Sequence, residues 1–180
     1  MKSFAKELAV DALKKTLKRK SLGKITVNDI IEEADISKQT FYNYFHDKYD
    51  LFSYAVTTVL HENLITSEKN ACNYRETIQN YYQTVLTEKD FYRSFLRDVS
   101  AREQIFSCIM QYSISYFHHK ALEMYGEGNV PEDLLFAIRF CSTGNATLVV
   151  DWMMDKMEQS PETMADITFR CTPDMLLPLI

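Results

Sequence analysis

The chain has 180 residues and 46% of them are hydrophobic, which is enough for a compact core and too much for a disordered chain. Four glycines and four prolines argue against an all-β fold, which needs many tight turns, and favour long helices. The four cysteines lie at least 30 residues apart, so paired zinc ligands are absent and we expect no metal. We also expect no cofactor, because the sequence has no glycine-rich phosphate loop.

The net charge of −5 is unevenly distributed along the chain. Residues 1–50 carry ten Lys/Arg and eight Asp/Glu, whereas residues 51–180 carry ten and seventeen, so a slightly basic segment precedes an acidic one. The positive charge collects in one cluster, formed by Lys14, Lys15, Lys18, Arg19, Lys20 and Lys24. Such a cluster is either the solvated end of a helix or a patch that faces phosphates, and the sequence leaves both interpretations open.

The N-terminal segment predicts two helices separated by a short turn. Apolar residues at i, i+1, i+4 and i+5 spacing predict an amphipathic helix over 2–20, and Gly23 lies in the turn that ends it. Thr26, with Asp29 three residues later, resembles a capping box in which Asp replaces the usual Glu or Gln. This box predicts a second helix over about 27–34.

A third and a fourth helix are predicted to follow directly. Ser37 suits the N-cap of a third helix over about 38–44. Asp35 would occupy the tight turn before it, in the left-handed region that Asp tolerates better than most residues. Asp47 suits the N-cap of a fourth helix over about 47–67.

The rest of the chain is also predicted to be helical. The predicted segments are 73–87, 89–99, 102–125, 131–158 and 161–170. No stretch has the length and flanking turns of a strand. We therefore predict an all-α fold, with a three-helix N-terminal domain over 1–47 and a C-terminal helical bundle over 48–180.

The second and third predicted helices form a candidate helix-turn-helix unit, because both are short and only a few residues separate them. Phe41 and Phe45 lie one turn apart and would bury one face of the third helix. The opposite face would present Lys38, Gln39, Thr40, Tyr42, Asn43 and Tyr44. Gln and Asn can pair with adenine, a Thr methyl group can contact thymine, and Tyr and Lys can hold phosphate oxygens. Lys48, in the first turn of the fourth helix, also suits a backbone phosphate.

Two other classes of function are weighed against DNA binding. Helix pairs of this kind also occur in adaptors that bind protein rather than DNA, although the basic cluster argues against that alternative. An enzyme is disfavoured, because neither an HExxH motif nor a nucleophile elbow occurs and the carboxylates are scattered over helix surfaces. The adjacent pair His118 and His119 cannot share one helix face, so it does not indicate a metal site.

The stretch "ITVNDIIEEADISKQTFYNYFHDKYDLF" resembles the N-terminal domain of TetR-family transcriptional regulators. The shared pattern, over residues about 5–52, has a Thr-capped helix, "IxxxA", a turn, "S.xTFYxxF" and then "xKxxLF". The resemblance implies an all-helical homodimer that binds a double-stranded DNA operator, and a C-terminal domain for dimerisation and usually for a small-molecule inducer. Taken with the helical geometry, it predicts that the DNA-facing residues are Thr26, Ser37, Lys38, Gln39, Thr40, Tyr42, Asn43, Tyr44 and Lys48.

Two positions depart from the family pattern, and a second resemblance lies further along the chain. Asp35 stands where the family usually has Gly, and Tyr44 stands where it usually has His. The segment "STGNATLVVDWMMDKMEQSPETMADI" resembles the end region of the branch near regulators of dihydroxyacetone-kinase operons. Because repression is the commoner behaviour in the family, the resemblance implies a repressor.

The predicted helix over 131–158 is apolar nearly all round in its middle, so it must be covered on two sides. One side can pack on the chain's own core, and we predict that the other meets a second copy of the chain, together with the helix after Pro161. Gly144 and Ala146 would allow close helix approach. The predicted interface residues are Ile138, Cys141, Gly144, Leu148, Trp152 and Met164.

The C-terminal helices are rich in aromatic residues, which are either plain core or the lining of a ligand cavity. The candidate lining residues are Tyr82, Phe95, Phe106, Met110, Tyr112 and Tyr116. We expect an unidentified small-molecule or partner-protein effector to act on the DNA-binding units through the helix over about 47–67. We expect a cytoplasmic protein without membrane contact, because the N-terminus is charged and no window approaches the ~18 apolar residues of a spanning helix.

Overall fold

The computed structural model describes residues 2–70, 72–96 and 98–180, with all of their side chains except those of residues 2, 3, 68, 94, 95 and 100. This part of the chain contains α-helices and two short 3-10 helices but no strand, which confirms the predicted all-α class. The α-helices are α1 (Lys2–Leu17), α2 (Val27–Ala34), α3 (Lys38–Tyr42), α4 (Lys48–Lys69), α5 (Tyr74–Thr87), α6 (Lys89–Phe95), α7 (Val99–Tyr125), α8 (Glu132–Met154) and α9 (Pro161–Arg170). The 3-10 helices are Leu22–Lys24 and Asp174–Leu179. We call residues 2–47 the head and residues 48–180 the body.

Side-chain caps fix where the head helices begin. The Thr26 hydroxyl accepts a hydrogen bond from the Asp29 N–H at 3.1 Å, and the Asp29 carboxylate accepts one from the Thr26 N–H at 2.8 Å. The Ser37 hydroxyl caps α3 by accepting a hydrogen bond from the Thr40 N–H at 3.0 Å. Between the two helices, Asp35 takes the left-handed conformation, with φ 50° and ψ 46°. These contacts confirm the predicted capping box, the predicted Ser37 cap and the predicted turn.

The long helix α4 leads from the head into the body. The Asp47 carboxylate accepts hydrogen bonds from the N–H groups of Tyr49 and Asp50, at 2.8 and 2.9 Å, and so caps α4 as predicted. In the body, α4 packs on α5 and α7, α7 packs on α8, and α5 packs on α9. The body is therefore a helical bundle in which α5 and α7 both pack against α4.

The helix α8 ends at Met154, four residues before its predicted end. Lys156 and Met157 have positive φ angles of 61° and 58°, which a right-handed helix cannot contain. The indole N–H of Trp152 donates a hydrogen bond to the carbonyl of Gln159 at 3.0 Å and holds the chain in this turn. By length and composition alone α8 could cross a membrane, but one side of it packs on α7 in the core of the body.

One hydrophobic core extends from the head into the body. Leu13, Ile30 and Phe41 of the head are fully buried in the same cluster as Phe52 and Ile105 of the body. A second, smaller cluster fills the far end of the body, where α7, α8 and the C-terminal 3-10 helix meet. The predicted domain boundary after residue 47 coincides with the start of α4, and it stays a prediction because the core does not divide there.

Candidate nucleic-acid interface and internal cavity

The short helix α3 is anchored by one face and exposes the other. Phe41 is fully buried, Phe45 just beyond the helix is 3% exposed, and their ring centroids lie 5.6 Å apart. On the other side, Tyr42 is 48% exposed and Lys38 and Gln39 are exposed. A helix held in this way presents a fixed polar surface that a DNA major groove can admit.

Four other residues predicted for this surface are more constrained. Asn43 is exposed but follows the last residue of α3, which ends two residues earlier than predicted. Thr40 is half-buried, and its hydroxyl shares a hydrogen bond of 2.8 Å with that of Ser37. Tyr44 is half-buried, packs against the core, and has the Lys6 ammonium 5.8 Å from its ring centre. The freest side chains are therefore those near the start and middle of α3.

The ammonium of Lys48 is engaged within the chain. It donates hydrogen bonds to the carbonyl oxygens of Leu22, Gly23 and Ile25, at 2.8, 3.1 and 2.8 Å. An ammonium has three N–H donors, so these bonds use its full capacity. Lys48 thus ties the start of α4 to the segment before α2, and a phosphate contact by the same group would have to replace these bonds.

The basic cluster at the end of α1 is largely paired with carboxylates. The pairs are Lys14 with Glu88 (3.0 Å), Lys15 with Glu33 (3.9 Å), Arg19 with Glu33, and Lys20 with Asp29 (2.6 Å). Lys18 and Lys24 are exposed. Solvent-exposed ion pairs contribute little stability and open readily. The cluster is therefore a solvated helix end in the free protein, and its pairs are weak enough for phosphates to compete for the cations.

The carboxylate of Asp29 belongs both to the capping box and to this charged surface. A hydrogen bond from Lys20, together with those from the Thr26 N–H and hydroxyl, lowers the pKa of Asp29 to about 2. Thr26 is exposed, but its hydroxyl is occupied, because it also donates to the Asp29 carboxylate at 2.9 Å. Thr26 therefore acts in the free protein as a cap.

The body contains a cavity of about 100 Å³ where α5 faces α7, with α4 and α8 also contributing to its wall. Of the residues predicted to line a ligand site, Tyr82, Tyr112 and Tyr116 lie in this wall. Phe106 and Met110 do not, because they turn away from the α7 stripe that faces α5 and pack against the core shared with the head. The side chain of Phe95 lies outside the described part of the chain.

Two wall residues that sequence reasoning did not select carry unpartnered polar atoms. The Tyr81 hydroxyl and the Asn145 side-chain oxygen are buried, and neither has a hydrogen-bond partner in the described part of the chain. Burial raises the pKa of Tyr81 well above its usual range, so its hydroxyl keeps its proton. Tyr81 recurs at helical spacing with Tyr74 and Ile78 on α5, a signal that could have found it, whereas Asn145 is marked only by being polar within an apolar helix.

A wider groove of about 1040 Å³ opens to solvent between the head and the body. Its wall includes Lys14, Lys18, Glu88 and Arg93, so it is strongly charged as well as open. Sites for small molecules have mostly apolar walls with a few polar groups, and the smaller cavity, whose wall contains no charged residue among the described ones, is therefore the better candidate for a ligand site.

Three of the predicted interface residues face the chain's own core. Ile138, Trp152 and Met164 are at most 2% exposed, and the Trp152 ring lies edge-on to Tyr82 with centroids 5.0 Å apart. A second chain cannot contact side chains that are already covered. The assignment of these three to an interface is therefore corrected, and they are core residues of the body.

The outward side of α8 carries uncovered apolar residues. Phe136 is 63% exposed and Phe140 is 77% exposed, and Gly144 lies one turn further along the same side. A methyl group added at Gly144 would meet nothing within 4 Å. Of the other predicted interface residues, Cys141 and Leu148 are half-buried beside this side. We call Phe136, Phe140 and Gly144 the outer α8 face.

Comparison with known families covers most of the chain in two segments. Residues 9–55 match the family described as bacterial regulatory proteins, tetR family. Residues 72–174 match the family described as transcriptional regulator C-terminal region. No curated protein sequence shows significant similarity to the chain.

Solved structures with a similar fold cover nearly the whole chain. The dihydroxyacetone kinase operon activator DhaS has a TM-score of 0.60 and 16% identity, over 98% of this chain and 96% of that one. A TetR transcriptional regulator from Streptococcus agalactiae 2603V has a TM-score of 0.60 and 17% identity, over 95% and 94%. The fatty acid degradation regulator FadR from Bacillus halodurans has a TM-score of 0.59 and 13% identity, over 96% and 95%. At these identities the similarity shows a shared fold, and the first protein agrees with the resemblance noted in the C-terminal segment.

Proposed function

Because this chain belongs to the TetR family of bacterial regulatory proteins, we propose that it binds a palindromic DNA operator as a homodimer. Family membership makes the chain a DNA-binding transcriptional regulator and not an enzyme. In this proposal an effector bound to the body controls DNA affinity, and the protein acts in the cytoplasm as a repressor. The observation that carries the proposal is α3, which has a fully buried Phe41 beneath it and exposed polar residues above.

The outward residues of α3 and of the two positions after it divide into two roles. Gln39 and Asn43 are exposed amides, and amide side chains can pair bidentately with adenine in the major groove. Lys38 and Tyr42 are exposed donors that suit phosphate oxygens, with Tyr44 at the margin of the surface. The hydroxyl groups of Thr26, Ser37 and Thr40 already form hydrogen bonds in the helix caps. These residues can therefore contact DNA only from their positions in those caps.

The outer α8 face supports the proposed homodimer. Large aromatic residues such as Phe136 and Phe140 are rarely left exposed side by side unless another surface covers them. The small Gly144 next to them allows a second helix to approach closely. The proposal requires the two-fold axis at α8 to place two copies of α3 on one side of the dimer, about 34–36 Å apart, so that they enter successive major grooves.

The same helices that line the cavity also touch the head, which supports control by an effector. The helix α4 contributes Leu60 to the cavity wall and begins at Lys48, which is tied to the head by three hydrogen bonds. The helix α5 contributes Tyr81 and ends beside Glu88, which pairs with Lys14 of α1. A ligand that shifts α5 relative to α4 would therefore change the position of the head.

Selection from a random double-stranded DNA library, followed by fluorescence anisotropy, tests the DNA-binding part of the proposal. We expect a palindromic sequence to be enriched and to bind at least about 10³-fold more tightly than random DNA, with a steep loss of affinity as salt rises. Gln39→Ala should relax the sequence preference, and Tyr42→Phe should weaken all sequences alike. Failure to enrich any sequence would contradict the proposal, and a reporter gene placed behind the selected site then tells repression from activation.

A further inference from the structure

We infer that Lys6, which lies on α1 and outside the helix-turn-helix unit, binds a phosphate of the DNA backbone together with the hydroxyl of Tyr44. The inference rests on the proposed function and adds a phosphate contact that α2 and α3 do not themselves supply. Three observations carry it, namely the position of the Lys6 ammonium beside the end of α3, the rings that hold it there, and its lack of a carboxylate partner.

The ammonium of Lys6 is held between two aromatic rings. It lies 4.6 Å from the ring centre of Tyr54 on α4 and 5.8 Å from that of Tyr44, just beyond α3. The Tyr54 ring also packs on Phe45, with centroids 5.5 Å apart, so contacts from α4 and from the end of α3 fix the position of the ammonium. An aromatic face attracts an ammonium but carries no charge that could neutralise it. Lys6 is therefore positioned and keeps its full positive charge.

Several other cations of the head are held by an acceptor within the chain. Those that pair with carboxylates are Lys14, Lys15, Arg19 and Lys20, and Lys48 donates to carbonyl groups. Lys6 forms no ion pair with a carboxylate of the described residues. A phosphate can therefore bind the Lys6 ammonium without displacing an internal anion, whereas at Lys20 it would have to displace one.

The shortness of α3 places Lys6 near the border of the groove that α3 would enter. Five residues of α-helix span about 7.5 Å, and the major groove is about 12 Å wide. Tyr44 is the second residue beyond α3, so a group beside its ring would lie close to a backbone at the edge of the groove. The Tyr44 hydroxyl has one O–H donor and the ammonium has three N–H donors, so a phosphate oxygen can accept from both.

Fluorescence anisotropy over a range of salt concentrations tests the inference, with the DNA sequence enriched by the selection described above as the probe. Lys6→Met removes the charge and keeps an unbranched side chain. We expect it to lower the salt slope of binding by about one per subunit, and to weaken operator and random DNA alike by roughly tenfold or more. Lys6→Arg keeps the charge and should bind with the unaltered slope.

A lysine in the body provides the matched control. Lys120 is also half-buried and also lies over a tyrosine ring, 5.9 Å from the centre of Tyr116, but it belongs to α7. Lys120→Met should change neither the slope nor the affinity. This control separates a phosphate contact from the general loss of one positive charge.

The role of Tyr44 is tested by removing its hydroxyl while keeping its ring. Tyr44→Phe should weaken DNA binding without changing the salt slope, because a neutral group releases no counter-ion. Since both groups are inferred to hold the same phosphate, the losses caused by Lys6→Met and Tyr44→Phe should not add in the double variant.

The inference is overturned if Lys6→Met binds the operator with the slope of the unmodified chain, or if the two losses add. It is also overturned if Lys6→Met changes the preference between sequences, because Lys6 would then contact a base. Failure of the selection to enrich any sequence would instead contradict the proposed function. An enriched operator that Lys6→Met binds with an unaltered slope removes only Lys6 from the interface.

Discussion

The head and the body are both all-helical, but they place their functional groups by different means. In the head, the exposed face of α3 is set by contacts between residues three positions apart, such as Thr26 with Asp29 and Ser37 with Thr40. In the body, the cavity exists because α5, which carries Tyr81, and α8, which carries Asn145, come from distant parts of the chain. Residues on a surface that is held by local contacts, such as the outer side of α3, can be replaced without changing the fold. Residues around a cavity that is formed by packing between distant helices also hold the fold together, so ligand binding there is coupled to stability.

The largest loss of stability that we predict comes from the buried side of α3, because a fully buried residue and an exposed one are neighbours there. Phe41→Ala should destabilise the protein by about 3–5 kcal/mol, because the ring is fully buried in the shared core. The neighbouring Tyr42→Ala, at a site 48% exposed, should cost no more than about 1 kcal/mol. Urea unfolding measures both values. Similar losses for the two variants would mean that α3 does not have a buried and a free face.

The outer α8 face provides the second test, because it is a body surface that packing within the chain leaves open. Phe140→Glu should weaken the proposed dimer at least about 100-fold, since a central aromatic contact is replaced by a charge. Phe4→Glu is the matched control, because Phe4 is also an exposed aromatic, at 64%, but lies in the head. Sedimentation velocity of both variants would show the effect, and an unchanged dimer in Phe140→Glu would exclude this face as the interface.

A comparison of Lys48 with Lys38 distinguishes a lysine that stabilises the fold from a lysine that faces DNA. Lys48→Met should destabilise the protein by about 1–3 kcal/mol, because three carbonyl groups lose their donor, and should leave the salt dependence of DNA binding unchanged. Lys38→Met should change stability by less than about 0.5 kcal/mol and should lower the salt slope by about one. Anisotropy titrations over a range of salt concentrations, paired with urea unfolding, measure both quantities. If Lys48→Met also lowers the slope, Lys48 exchanges its carbonyl partners for a phosphate.

The smallest effect that we predict is the change with pH in the stability that the capping box contributes. The pKa of Asp29 is lowered from 3.8 to about 2 in the folded chain, so its stabilising contribution is present above pH 3.8 and disappears as the pH falls towards 2. Asp29→Asn should flatten the loss of stability between pH 4 and 2, as measured by thermal unfolding.

The sequence predicts the head well because its information is local. The caps at Thr26, Ser37 and Asp47 and the left-handed Asp35 are each decided within four residues, and all are present. The partners of Lys48 could not be predicted in the same way, because they lie more than twenty residues earlier and depend on how α4 meets the head.

The body shows what helical periodicity leaves undecided. An apolar pattern all round α8 predicts that two of its sides are covered, but it does not say which side meets the chain's own core. Ile138 and Trp152 occupy the inner side, while Phe136 and Phe140 occupy the outer one, although all four are large and apolar. Likewise, aromatic spacing on α5 and α7 does not reveal where packing leaves a gap, so three of the cavity residues were found and Tyr81 was not.

Because the head and the body share one hydrophobic core, the head cannot be transferred to another protein as an independent folding unit. Leu13 and Phe41 belong to a cluster that includes Phe52 and Ile105, so a head moved onto an unrelated body would keep its caps and its outward residues but lose its packing against the body. Natural or engineered changes of operator preference in this chain therefore have to be made on the outer surface of α3, one residue at a time. Exchange of whole DNA-binding segments between relatives would succeed only where the inner residues of α4 and α7 were exchanged with them.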